Sequence, residues 1–160
     1  MPIRMSKNPA LIANILQAFG KAGIDHLIHV PATGIEDIYR HYDELRTSLN
    51  VSREEEGVAV AAGMALGGKR PVLFIQQSGV GNMLNSFIGL ADAYSIYFPI
   101  VVLNRGENDE NPVQAHSASR TIALIKAIGE PVQFDFCAAG ATEAFSDLVN
   151  KKTRWFITNY

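Results

Sequence analysis

Three adjacent carboxylates, Glu54, Glu55 and Glu56, stand at the mouth of an uncharged segment, 57–68, dominated by small residues: Gly57, Ala59, Ala61, Ala62, Gly63 and Ala65. A helix built from such residues lets another backbone come very close. A carboxylate in its first turn sits at the positive end of the helix dipole, which favours the ionised form. Burial of the same group works the other way and raises its pKa. A glutamate placed here is therefore either a solvated helix start or a tuned acid–base group. A surface helix carries a polar face, and 57–66 has none. The segment is expected to be buried on nearly all sides, with part of it in a subunit interface.

A second chemical signal is the stretch Gln77, Ser78, Gly79, Val80, Gly81, Asn82. It reads as a strand–turn–helix connection whose free backbone amides can cradle an anion. It lacks the Gly-Lys-Ser/Thr ending of a P-loop and the third glycine of a dinucleotide fingerprint. Alone, it is more simply an ordinary helix start. A third signal is His116, in a polar stretch over 104–117 with Arg105, Glu107, Asp109 and Glu110. That stretch reads as a long loop, which is often functional or mobile. A loop histidine can donate a proton near neutral pH; the plain alternative is a solvated surface side chain. His26 and His29 flank a strand core without a third ligand and read as structural, so no metal site is expected on this chain. Ser78, Ser86 and Ser117 lack the Gly-x-Ser-x-Gly elbow, which disfavours a serine hydrolase.

The elements that must position these groups follow from periodicity. Asn8-Pro9 is a helix start with Asn8 as N-cap. Ala10, Leu11, Ile12, Ile15, Leu16 and Phe19 then recur at helical spacing up to Gly20 and Gly23. Strands are expected over 26–30, 48–51, 72–76, 99–103, 132–136 and 155–157. Helices are expected over 35–45, 54–66, 82–93, 120–128 and 141–149. Alternating strands and helices, with continuous apolar runs at 72–76 and 99–103, predict a three-layer α/β/α fold around a mostly parallel sheet. In such sheets ligands bind beyond the carboxyl ends of the strands. The loops 31–34, 77–81 and 104–118 should therefore cluster at one edge.

Composition narrows the classes. The 160 residues suit one domain, 1–160, with 48% apolar residues and a net charge of −2. No basic field exists to hold nucleic acid or an anionic membrane. Cys137 is the one cysteine, which rules out an intramolecular disulfide and fits a reducing cytoplasm. No apolar run reaches the about 20 residues of a membrane helix, and the N-terminus does not read as a signal peptide.

Taken together, four stretches resemble the pyrimidine-binding (Pyr) domain of thiamine-diphosphate-dependent decarboxylases, in particular sulfopyruvate decarboxylase alpha subunits and phosphonopyruvate decarboxylases. They are Val30 to Gly34; Arg53 to Gly63; Gln76 to Asn82 with its continuation to Pro99; and Arg105-Gly106 with Asn111-Pro112, Gln114 and His116. The resemblance implies a Pyr-type fold and a glutamate nine residues before Gly63, which is Glu54, with Glu55 the neighbouring alternative. That glutamate shares a proton with N1′ of the cofactor's aminopyrimidine and so promotes deprotonation of the thiazolium carbon that attacks a 2-oxoacid. By the same resemblance Pro31, Ala32, Gly79 and Asn82 bind cofactor, and Thr33, Gln77, Ser78, Arg105 and Arg120 face the substrate. His116 is implied as a second catalytic group. The first loop departs from the phosphonopyruvate pattern, with Ala32-Thr33 in place of an acid–serine pair. The family's Gly-Asp-Gly metal motif is absent from the sequence. The implied protein is thus an alpha subunit, active only in a hetero-oligomer. Its beta subunit carries the diphosphate-binding domain and Mg2+. The implied substrate is 3-sulfopyruvate, with phosphonopyruvate as the alternative; a free-standing, non-catalytic Pyr-like assembly module is the reading of a different class.

Overall fold

The structure, a computed structural model, describes residues 9–32, 36–43 and 47–159. Its strands are β1 (His26–His29), β2 (Thr47–Asn50), β3 (Pro71–Gln76), β4 (Ile100–Asn104), β5 (Pro131–Gln133) and β6 (Trp155–Asn159). They form one sheet in the order β2-β1-β3-β4-β6-β5, and every neighbouring pair is parallel. The helices are α1 (Pro9–Lys21), α2 (Glu36–Asp43), α3 (Glu54–Leu66), α4 (Val80–Ser86), α5 (Pro112–Ile128) and α6 (Ala141–Asn150).

Side chains alternate across a strand, and that alternation builds the two cores. Val72, Phe74, Val101, Leu103 and Phe156 enter one core with Leu11, Ile15 and Phe19 of α1, Ile38 of α2 and Phe145 of α6. Leu73, Ile75, Ile100, Val102 and Ile157 enter the other, with Val58, Ala61 and Ala62 of α3, Val80 and Met83 of α4 and Ile125 of α5. A strand covered on both faces has no position left for a polar side chain, which is why the central strands read as unbroken apolar runs. The expected three-layer α/β/α architecture is what forms.

Three elements differ from the sequence reading. The segment after β3 does not wait until residue 82 to become helical. A 3-10 turn (Gln77–Gly79) leads directly into α4, which continues as a π-helical stretch (Phe87–Asp92). The strand expected over 132–136 ends at Gln133, because Phe134 and Phe136 turn into the aromatic core. Finally, α5 starts at Pro112 rather than at 120. The Asn111 side chain accepts a hydrogen bond from the Val113 N–H at 3.0 Å, with Pro112 in the first turn, the same Asn-Pro start that Asn8-Pro9 suggests in sequence. Asn8 itself lies outside the described residues.

On this chain by itself helix α3 is buried along one side, and its other side is where the expected subunit interface would lie. Gly57, Val58, Ala61 and Ala62 are buried, whereas Ala59, Gly63 and Leu66 are exposed on this chain. Gly57 lets the helix lie close over the sheet, since a Cβ there would come within 2.8 Å of Leu73 Cδ1 and push that side chain aside.

The aromatic cluster fixes α1 and α6 to the sheet. The Phe145 ring lies 5.6 Å from that of Phe19, 5.3 Å from Phe136 and 4.6 Å from Phe156. Phe145→Ala is expected to cost about 3–5 kcal/mol of stability, measured by urea unfolding. A loss below about 1 kcal/mol would show that the cluster does not tie the layers together.

Candidate active site

Because all six strands run in parallel, the segments that follow β1, β3 and β4 lie at one edge of the sheet, and α3 starts there too. The three glutamates are sorted at that edge by what surrounds them. Glu55 accepts a 3.0 Å ion-pair contact from Arg53 Nε, with both side chains well exposed. Glu56 accepts from the Ser52 N–H at 2.8 Å and so helps cap the helix. Glu54 points across to the turn after β3. Its Oε2 accepts from Asn82 Nδ2 at 3.0 Å, and its carboxylate lies so close to Gly79 that a Cβ there would overlap Oε1. Only glycine leaves this space. Among the described residues Oε1 has no hydrogen-bond partner.

The second half of the edge is held by amides. The Gln77 side chain is buried. Its Nε2 donates to the Gln114 carbonyl at 3.3 Å, its Oε1 accepts from the Arg105 N–H at 3.2 Å, and its carbonyl accepts from Thr121 Oγ1 at 2.9 Å. One side chain thus binds the end of β3 to the segment after β4 and to α5. Asn104 adds to this. It is also buried; its Oδ1 accepts from the Gly106 N–H at 3.3 Å and its Nδ2 donates to Asn159 Oδ1 at 3.3 Å. Gln114 Nε2 donates to Gln76 Oε1 at 3.4 Å and to Ser78 Oγ at 3.3 Å.

The structure thus brings Glu54, Gly79 and Asn82 together, and Gln77, Ser78 and the Arg105 backbone together. Pro31 and Ala32 follow β1 at the same edge; Thr33 lies outside the described residues. The side chain of Gln77, expected to face the substrate, is instead satisfied inside the chain. Arg105 is tied to Asp109, its Nε donating to Oδ2 at 2.7 Å with the two side chains 17% and 10% exposed. His116 is not in a loop. It sits exposed on the second turn of α5, with Arg120 Nη1 donating to its carbonyl at 2.8 Å. His26 pairs with Asp25 at 2.8 Å and the His29 ring stacks on Tyr39 at 4.4 Å, both at structural positions. Among the described residues no group of three or more His, Cys, Asp or Glu is arranged to hold a metal ion, and no helix is long and apolar enough to cross a membrane.

Sequence reasoning missed Gln114, Asn104 and Asp109. The signal for the first was present: Asn111-Pro112 as a helix start puts Gln114 in the first turn, facing back to the β3 turn. Removing that cap with Asn111→Ala is expected to cost about 1 kcal/mol and to lower the thermal midpoint. An unchanged midpoint would mean that α5 does not depend on it.

Comparison with known proteins places this geometry. The family model for the thiamine pyrophosphate enzyme N-terminal TPP binding domain matches residues 10–122. Sulfopyruvate decarboxylase subunit alpha of Methanococcus maripaludis is 33% identical over 98 residues, 60% of this chain and 59% of that protein. The subunit of the same name from Methanothermobacter thermautotrophicus is 29% identical over 136 residues, 83% of this chain and 82% of that protein. The matched part of the chain therefore spans less than two thirds of the first relative's length. Among solved structures, 2-oxoglutarate:ferredoxin oxidoreductase from Magnetococcus marinus, with 2-oxoglutarate, coenzyme A and succinyl-CoA bound, superposes with a TM-score of 0.70. It is 14% identical, and the match covers 94% of this chain and 28% of that one, which speaks to the fold alone.

Proposed function

The chain belongs to the thiamine pyrophosphate enzymes, as an N-terminal TPP binding domain, and from that premise we propose that it is the alpha, pyrimidine-binding subunit of a 2-oxoacid decarboxylase that converts 3-sulfopyruvate to sulfoacetaldehyde and CO2. The observation that carries the reading is the placement of Glu54. Its carboxylate is packed on Gly79 and oriented by Asn82, with one oxygen that no described residue engages. A fixed carboxylate with an open oxygen is what a ring nitrogen sharing a proton requires. The residues present therefore fit the aminopyrimidine of thiamine diphosphate. When bound, that cofactor supplies the electron sink for decarboxylation.

The chain's own residues have distinct parts in this proposal. Glu54 would hold the aminopyrimidine of the cofactor through Oε1, the oxygen at which a proton could be shared. Asn82 keeps the carboxylate turned, and Gly79 leaves room for it. Pro31 and Ala32 approach the pyrimidine, while Thr33 and Ser78 face the substrate. Gln77 is assigned to positioning, since its amide is already bonded within the chain. Arg105, before α5, and Arg120, within it, are the cations assigned to the anionic group of the substrate. The exposed face of α3, with Ala59, Gly63 and Leu66, is small enough for a partner's backbone to approach. We assign the diphosphate and Mg2+ to that partner, a beta subunit in a cytoplasmic hetero-oligomer. The choice of sulfopyruvate draws on the names of the relatives, with phosphonopyruvate as the competing substrate.

The test is co-expression with a subunit carrying a Gly-Asp-Gly motif, followed by CO2 release from sulfopyruvate, phosphonopyruvate and pyruvate side by side. A stable monomer that captures no such subunit would refute the proposal and favour a free-standing assembly module. Glu54→Gln is expected to lower turnover by about 10²-fold or more while gel filtration still shows the complex. Near-normal activity in that variant, with Glu55→Gln inactive, would move the role one residue along. His116→Ala is expected to slow turnover severalfold with cofactor affinity kept in a calorimetric titration; an unchanged rate across the pH profile removes it from proton transfer.

A further inference from the structure

We infer that Gln114 is a specificity-determining positioning residue: it turns the Ser78 hydroxyl outward, as a donor to the anionic tail of the 2-oxoacid. The inference rests on the decarboxylase reading above.

The orientation of the Gln114 amide is fixed by what its nitrogen meets. Nε2 faces two oxygens, Gln76 Oε1 at 3.4 Å and Ser78 Oγ at 3.3 Å. A flipped amide would set oxygen against the Gln76 oxygen. The residue is itself anchored, since its carbonyl accepts from Gln77 Nε2 at 3.3 Å and from Ser117 Oγ at 3.1 Å. Among the described residues its own Oε1 is buried without a partner. That unmet acceptor is a cost set against the two bonds that the nitrogen makes.

The consequence falls on Ser78. A hydroxyl has one proton and two lone pairs. Ser78 Oγ already accepts from Gln114, so its proton points elsewhere, and no described residue accepts it. Ser78 is exposed, one residue before the Gly79 on which Glu54 rests. The open donor therefore stands at the substrate side of the proposed site. Hydrogen bonds to an ionised acceptor are about twice as strong as neutral ones, so this donor favours a sulfonate or phosphonate oxygen over a methyl group. The first turn of α5 has no acidic residue, leaving the positive end of its dipole at this edge. Arg105 Nε is engaged by Asp109 and Arg120 Nη1 by the His116 carbonyl, so the Ser78 hydroxyl adds a neutral, directional donor beside those cations.

The experiment measures kcat/KM of the assembled complex on sulfopyruvate, phosphonopyruvate and pyruvate, which lacks an anionic tail. The variants are Gln114→Ala, Ser78→Ala, their double and Gln114→Glu. Each single alanine variant is expected to lower the ratio of kcat/KM for the anionic substrate over pyruvate about tenfold, the scale of one hydrogen bond to a charged group. The double variant should fall no further than Ser78→Ala, because Gln114 acts only through the Ser78 donor. Gln114→Glu keeps the shape but replaces the donor by an acceptor, which draws the Ser78 proton inward. It should lose at least the same selectivity, since its charge also repels an anionic tail, so retained selectivity is the informative result. Equal losses on all three substrates, additive losses in the double variant, or full selectivity in Gln114→Glu would overturn the inference and leave the decarboxylase reading standing. A wild-type complex that turns over none of the three would overturn both.

Discussion

The carboxyl edge of this sheet depends on one buried amide. Gln77 sits where β3 ends, and both ends of its side chain are bonded to backbone, one to the segment after β4 and one to the first turn of α5. Without it the segment after β4 would lose its side-chain tie to the β3 turn, and α5 would keep only the bonds from Thr121 and the Gln114 side chain. A buried amide left half-bonded is costly, so the geometry that satisfies both ends is strongly preferred. The sequence places around it follow from that constraint. Asn111 and Pro112 start the helix early enough to bring the Gln114 carbonyl within reach, and Thr121 closes the main-chain oxygen of Gln77 from the next turns of α5.

The neighbouring constraint is steric. Three glutamates of identical chemistry receive three different surroundings because α3 turns each by about 100° from the last. Glu55 meets Arg53, Glu56 meets the Ser52 amide, and Glu54 meets a turn that carries glycine where its carboxylate comes down. Gly57 does the same service on the inner face, letting the helix lie close over Leu73. Glycine at 57 sets how deep the helix sits, and glycine at 79 sets where its first carboxylate rests.

Much of this was legible in the sequence, for physical reasons that differ from part to part. The central strands were plain because burial on both faces removes polar residues from 72–75 and 100–103. The clustering of the loops after β1, β3 and β4 followed from the parallel sheet. The distinction of Glu54 from its neighbours came from resemblance, by its distance to Gly63, and the packing against Gly79 is independent of that count. What sequence did not disclose were pairings between distant side chains. Arg105 was read as facing the substrate, but Asp109, four residues on, takes its Nε. Polar composition made 104–117 look like a loop, although Asn111-Pro112 carried the cap that ends it. Small-residue composition made α3 look buried all round, because alanine and glycine are equally at home inside and on a surface awaiting cover.

The contact between α1 and α6 has a consequence for how the chain acquires its shape. Phe19 rests against Phe145 and Phe136, and the strand beneath them, β6, is the last to emerge. A sheet made only of parallel pairs has no hairpin to form locally, so each pairing waits for a crossover, and folding of this type is slow. On a translating ribosome the apolar side of α1 can meet β3 early, through Phe74, but its cover is complete only once residues 134–156 have been made. For that interval the nascent chain presents Phe19 partly covered, a hydrophobic surface of the kind chaperones bind.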